Sequence, residues 1–219
     1  MKSFIAICLG LGSIALAAVP GFDISHYQIG VDFAAAYSAG ARFVIIKATE
    51  GTTYKDPIFS SHYNGATSAG LIRGGYHFAH PGSSSGATQA NYFLANGGGW
   101  SGDGITLPGM LDLEGDCAGL STSAMVSWIK DFSDTYHSKT GRYPLLYTNP
   151  SWWSSCTGGS SAFVNTNPLV LARYSSSAGT PPGGWPYYTI WQFNDRYQYG
   201  GDSDTFNGDL AGLKKLATG

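Results

Sequence analysis

The stretch STSAMVSWIKDFSDTYHSKTGRYPLLYT, residues 121–148, decides the fold. Met125, Ile129, Phe132 and Tyr136 recur along its first part at helical spacing, and the run at 143–148 that closes it is short, apolar and β-prone. Ser121 or Ser123 can cap the helix, because a short hydroxyl accepts from the unpaired N–H groups of a first turn. Gly141 can end it, because glycine takes the left-handed conformation without a steric penalty. A helix over 121–140 feeding directly into a strand is half of a repeating β/α unit.

Toward the N-terminus the same alternation continues. Runs at 21–25 (GFDIS), 43–48 (FVIIKA), 71–79 (LIRGGYHFA) and 107–114 (LPGMLDLE) read as strands, with helical spacing at 33–39, 57–69 and 86–96 between them. Toward the C-terminus, runs at 169–174 (LVLARY), 188–193 (YTIWQF) and 202–206 are separated by Gly, Ser and Pro, without helical spacing. The expected fold is α/β, an irregular TIM-like barrel whose last strands lack regular helices. An open doubly wound sheet is the alternative, but it needs helices on both faces throughout.

The chain opens MKSFIAICLGLGSIALAAVPG, with Lys2 ahead of an apolar run at 4–16 and small residues at Ala15 and Ala17. This predicts a signal peptide at 1–18, a single mature domain at 19–219, and a secreted, extracellular monomer without a membrane anchor. Charged residues are only 12% of the chain, against about 25% in ordinary domains, while glycines number 31 and aromatics reach 14%. That balance suits a loop-rich, sugar-handling protein. Loss of Lys2 leaves 11 basic residues against 14 acidic ones, which argues against nucleic acid as a partner. Cys117 and Cys156, the two cysteines beyond the leader, are expected to pair as a disulfide, the alternative being two buried thiols.

In β/α barrels chemistry gathers at the C-terminal ends of the strands. Polar residues stand there in this chain: Asp23 to His26 after the first run, Lys47, Thr49 and Glu50 after the second, Tyr76, His77 and His80 after the third. Later runs end in Asp112 and Glu114, in Tyr147, in Arg173 and Tyr174, and in Trp191 and Gln192. Asp112 and Glu114 are two apart on an extended chain, which sets their side chains on one face with Cα atoms about 6.5 to 7 Å apart. Carboxyls that close in a partly dry cleft raise at least one pKa, and a protonated carboxyl beside an ionised one is the pairing that glycosidic bond cleavage needs. Glu50 and Glu114 are the only glutamates in the chain. Tyr27, Tyr76, Tyr147 and Trp191 are candidates for stacking on sugar rings or for core packing, and Phe78 and Phe193 are assigned to the core.

Seven stretches carry a family resemblance: GFDISHYQ (21–28), FVIIKATEGTTYKDP (43–57), GGYHFAHP (74–81), LDLEG (111–115), YTN (147–149), IWQF (190–193) and DSDTFNG (202–208). In their order and spacing the chain resembles family 25 glycoside hydrolases, the N,O-diacetylmuramidase type of lysozyme, from about residue 21 to residue 213. The resemblance implies hydrolysis of the β-1,4 bond between N-acetylmuramic acid and N-acetylglucosamine in bacterial peptidoglycan, on an irregular TIM-like barrel of five β/α units followed by three strands lacking regular helices; no cofactor or metal is expected. It makes Glu114 the general acid, Asp112 its partner and Asp23 a third carboxylate at the mouth. Asp202 matches the last family aspartate better than Asp204, which joins Tyr27, Tyr76, His77, Tyr147, Trp191 and Gln192 in the substrate-binding set. Retention of configuration is implied, by direct carboxylate attack or through the substrate's own acetamido group. The second route is the one expected, because an aspartate two residues before the acid can orient and polarise that amide.

Two other classes compete. His77 and His80, with Asp23, Asp112 and His26, invite a metal-dependent hydrolase, but the two histidines fall on opposite faces of an extended run. A sugar-binding protein on an inactive scaffold would usually have lost its acid, and here Asp23, Asp112 and Glu114 are all present.

Overall fold

The computed structural model describes residues 18–219, so the predicted leader at 1–18, apart from its last residue, lies outside the described residues. The chain runs β1 (Val19–Ile24), α1 (Phe33–Ser38), β2 (Phe43–Glu50), β3 (Tyr54–Lys55), α2 (Phe59–Ser68), β4 (Ile72–Phe78), α3 (Gly86–Ala95), β5 (Met110–Asp112) and α4 (Thr122–Thr140). It continues with β6 (Leu145–Thr148), α5 (Pro150–Thr157), β7 (Leu169–Ala172), β8 (Ile190–Asn194), β9 (Asp202–Phe206) and α6 (Leu210–Thr218). Hydrogen bonding passes from β1 through β9, β8, β7, β6, β5 and β4 to β2, and the β1–β2 pairing closes the barrel. β3 is a short antiparallel spur on β2, and β9 runs antiparallel to both its neighbours. Five β/α units are thus followed by three strands with no α-helix between them, as the lost alternation implies.

Period-two alternation builds the interior. Inward positions read Phe43, Ile45, Lys47 on β2, Met110, Asp112 on β5, Leu145, Tyr147 on β6 and Ile190, Gln192 on β8. On β1, β2, β5, β6 and β8 the inward positions pass from apolar to polar along the strand, and antiparallel β9 runs the other way from Asp202 to Phe206, so the lower interior is a packed core and the upper end is rich in hydrogen-bonding groups. α6 plugs the bottom with Leu213 and Ala217. Outward residues Val44, Ile46, Leu111, Leu146 and Leu171 pack with Phe93, Phe132 and Trp153 of the helices in a second layer.

Ser121 caps α4 by accepting from the Ala124 N–H, and Gly141 ends it at φ 74°. The run expected at 107–114 is a strand only over Met110–Asp112, because Pro108 lacks an N–H and that of Gly109 bonds the Tyr136 hydroxyl instead of a neighbouring strand. α5 and α6 have no counterpart among the runs of helical spacing in the sequence. Asn149 caps α5, Pro150 stands at its first turn where a missing N–H costs nothing, and Trp152, Trp153 and Cys156 face inward. Phe193, assigned to the core, is exposed beyond a register shift in β8.

Cys117 in the loop after β5 bonds Cys156 at the end of α5, with Cα atoms 5.2 Å apart. The bridge joins positions 39 apart in sequence and holds two mouth segments together. Replacing both cysteines by alanine is expected to remove about 2 to 4 kcal/mol of stability, from the freed chain entropy of the unfolded state. Chemical denaturation checks this; a loss below about 1 kcal/mol would show the loop to be pinned by packing alone.

Candidate active site

Acidic side chains gather at the C-terminal mouth. Asp23 and Asp202 are register partners across the β1–β9 ladder, and Asp112 faces the same interior from β5. Gly201 lets β9 come in so close, since a Cβ there would lie 1.9 Å from the Asp23 carbonyl oxygen. Glu114 extends past the end of β5 and is exposed. It stands between two grooves: one of about 440 Å³ lined by Phe78, His80, Pro81 and Asp116, the other of about 310 Å³ lined by Tyr147, Asn149, Arg173 and Tyr174. A further hollow, about 430 Å³, opens at the far end of the barrel beside Trp185, Tyr187 and Lys215, and no acidic side chain lines it.

Gln192 organises the floor. Its Nε2 donates to Asp23 Oδ2 at 2.7 Å and to Asp202 Oδ2 at 3.1 Å, while its Oε1 accepts from the hydroxyls of Tyr147 at 2.8 Å and Tyr174 at 3.0 Å. All four bonds of one amide are used, which fixes the two carboxylates relative to both tyrosines. Buried Lys47 donates to Glu50 Oε2 at 2.6 Å, and His80 Nε2 lies 2.8 Å from Glu50 Oε1.

The electrostatics follow from burial and crowding. Burial and then the charge of Asp202 raise Asp23 to about 7, against the hydrogen bond from Gln192. Burial, followed by the charges of Glu114 and Asp23, pushes Asp112 well above the carboxylate range, with Lys47 opposing. Burial and Asp202 likewise raise Glu114, again against Lys47. Glu50 goes the other way: burial would raise it, but its bonds with Lys47 and His80 outweigh that and hold it low. The mouth therefore offers an accessible carboxyl that keeps its proton above the usual range, beside buried acids with acceptor oxygens. Oδ1 of Asp112 is buried and receives no hydrogen bond from any donor among the described residues.

The structure divides the expected residues. Asp23, Asp112, Glu114, Asp202, Tyr76, Tyr147 and Gln192 converge on the mouth, and Tyr27 lies 79% exposed beside β1 with its ring 4.1 Å from that of His26. His77 does not join them. It points outward from β4, is fully buried among Phe93 and Phe132, and bonds Thr49 Oγ1 at 2.7 Å and Gln89 Oε1 at 3.0 Å. Burial drives it down to about 4, so it is a neutral structural imidazole. Trp191 also points outward, packing near Tyr188 and Phe193 and donating to the Arg173 carbonyl. Both corrections have one cause, since Tyr76 and Gln192 face in and their immediate neighbours on a strand must face out. Asp204 lies one inward step below Asp202, buried beneath the mouth. Lys47, Glu50 and Tyr174 belong to the site without having been assigned a role; the inward alternation from Phe43 and Ile45 to Lys47 was the signal that pointed to the lysine.

The model of the glycosyl hydrolases family 25 matches residues 22–202. The N,O-diacetylmuramidase of Chalaropsis sp is 70% identical over 210 residues, 92% of this chain and 100% of that one. The N,O-diacetylmuramidase of Arthroderma benhamiae is 64% identical over 92% of this chain and 87% of its own. The structure of a muramidase from Trichobolus zukalii superposes with a TM-score of 0.91 at 68% identity, covering 92% of this chain and 99% of that one.

Proposed function

The chain belongs to glycosyl hydrolases family 25, and from that premise we propose that it is a muramidase, hydrolysing the β-1,4 bond that follows N-acetylmuramic acid in bacterial peptidoglycan. The observation that carries the reading is Glu114, a carboxyl standing between two grooves whose pKa is raised by partial desolvation at the mouth and by the charge of Asp202. In the proposed reaction Glu114 protonates the leaving glycosidic oxygen. The substrate's acetamido oxygen attacks the anomeric carbon from the other face, and water then opens the ring so formed, with net retention. Asp112 accepts the acetamide N–H through its Oδ1, and although burial raises its pKa in the free enzyme, the positive charge that grows on that amide favours its ionised form, which stabilises the charge in return. Asp23 and Asp202, tied by Gln192, border the reacting sugar, and the rings of Tyr27 and Tyr174 offer exposed stacking faces.

Digestion of purified Gram-positive walls, followed by borohydride reduction, tests the bond assignment. New ends on muramic acid are expected; new ends on glucosamine would move the cut, and binding without new ends would leave a lectin. Lys47→Met supplies a pH test. The lysine's charge favours ionised Glu114, so its removal raises the pKa of the acid and moves the alkaline limb of kcat/KM upward. A limb that stays or falls would contradict the role of Glu114 as acid.

The leader-like run at 4–16 supports secretion, and no helix among the described residues is long and apolar enough to cross a membrane. We expect the mature enzyme to act outside the cell as a monomer.

A further inference from the structure

Asp204 is not used in the reaction above, yet it is the most deeply placed carboxyl of the mouth, 2% exposed. Its register partners are Gly21 on β1 and Gln192 on β8. Neither of its oxygens receives a hydrogen bond from any N–H or O–H among the described residues. The amide of Gln192, opposite it on the ladder, is already committed to Asp23 and Asp202. The charged or titratable groups facing it are Asp23 from β1 and Asp202 on its own strand. An ionised carboxylate in that position would be buried among like charges with no donor at all, which a low dielectric penalises heavily. A protonated carboxyl reverses the situation, because it becomes a donor, and Asp23 stands diagonally across the β1–β9 ladder from it, two residues along β1 from its register partner Gly21.

We propose that Asp204 is a positioning residue that stays protonated through turnover and donates its proton to the Asp23 carboxylate, so that Asp23 is gripped by Asp204 from below and by Gln192 from the side. This rests on the reading of Asp23 as a group that borders the reacting sugar. Burial, then the charges of Asp23 and Asp202, hold Asp204 well above the carboxylate range, while Asp23 rises only to about 7, so Asp23 ionises first.

Two substitutions separate the donor from the charge. Asp204→Asn keeps a neutral donor of the same shape, and Asp204→Leu keeps the shape alone. On purified walls Asp204→Asn is expected to retain wild-type kcat and KM, and Asp204→Leu to lose about tenfold or more in kcat with KM little changed. Melting temperature supplies a readout independent of catalysis. A carboxyl whose folded pKa is raised contributes stability that is fully present below its unfolded value and lost as pH climbs toward the folded one. Asp204→Asn does not titrate, so its melting temperature should gain on wild type steadily between pH 4 and 8. A collapse of activity in Asp204→Asn would make Asp204 an ionised participant and overturn the proposal. So would full activity in Asp204→Leu, or a melting difference that does not vary with pH. If wild type itself cleaved no wall, the function assigned above would fail, while the melting curves would still decide the protonation of Asp204.

Discussion

Glu114→Gln slows lysis of peptidoglycan by about 10³- to 10⁴-fold, with no change in melting temperature, if the proton at this position is what the leaving group needs. Glutamine keeps the size and hydrogen-bonding shape of the side chain and removes only the transferable proton. Glu114 is exposed and lies beyond the last residue of β5, so the barrel does not depend on it for packing. Loss of rate must then appear in kcat at least as strongly as in KM, because the proton is needed in the transition state and not for binding. A variant that keeps most of its activity, measured by turbidity and by new reducing ends, would remove Glu114 from the mechanism.

Asp112→Asn is expected to cost about 10²- to 10³-fold in kcat, the usual consequence of losing one preorganised electrostatic partner of a developing charge. Asp112 is 6% exposed, and its Oδ1 receives no hydrogen bond from any donor among the described residues, so it can accept from a group that arrives with the substrate. An acetamide N–H suits that oxygen in charge and in hydrogen-bonding sense. The asparagine variant should melt no lower than wild type, because the substitution relieves a buried carboxyl crowded by Glu114 and Asp23. Mass spectrometry of enzyme treated with a fluorinated, mechanism-based inhibitor separates the two retaining routes. An adduct esterified to Asp112 would make it the nucleophile and end the acetamido account.

Much of this site is legible in the sequence. The alternation of 121–148 carried the β/α repeat, and the silence between the runs at 169, 188 and 202 carried its breakdown, because strand and helix leave different periods in the sequence. The strand-end rule points to Asp23, Asp112, Glu114 and Gln192, which converge on the mouth, and equally to His77 and Trp191, which face outward, because height along a strand says nothing of the period of two that decides which residues point in. Phe43, Ile45 and Lys47 on β2 show that the parity was available.

Other features were out of reach for physical reasons. The fourfold saturation of Gln192 joins residues on β1, β6, β8 and β9 with the loop after β7, and no local pattern foretells such a meeting. The depth of Asp204 depends on β9 running antiparallel, which brings Asp202 to the mouth beside Asp23 and sets Asp204 one step down beside Gly21. α5 hides in PSWWSSCT, a serine-rich segment whose helix is held by an Asn149 cap, a first-turn proline and buried tryptophans rather than by intrinsic propensity.

The most direct test of the central claim compares wild type and Glu114→Gln on two leaving groups. One is the natural sugar alcohol of the peptidoglycan chain, which departs only when protonated. The other is a dinitrophenyl glycoside of N-acetylmuramic acid, whose phenolate departs unaided. The account predicts a defect of about 10³-fold or more on the wall and near wild-type bond cleavage on the aryl glycoside. An equal defect on both substrates would contradict it, for Glu114 would then serve some purpose other than giving the proton.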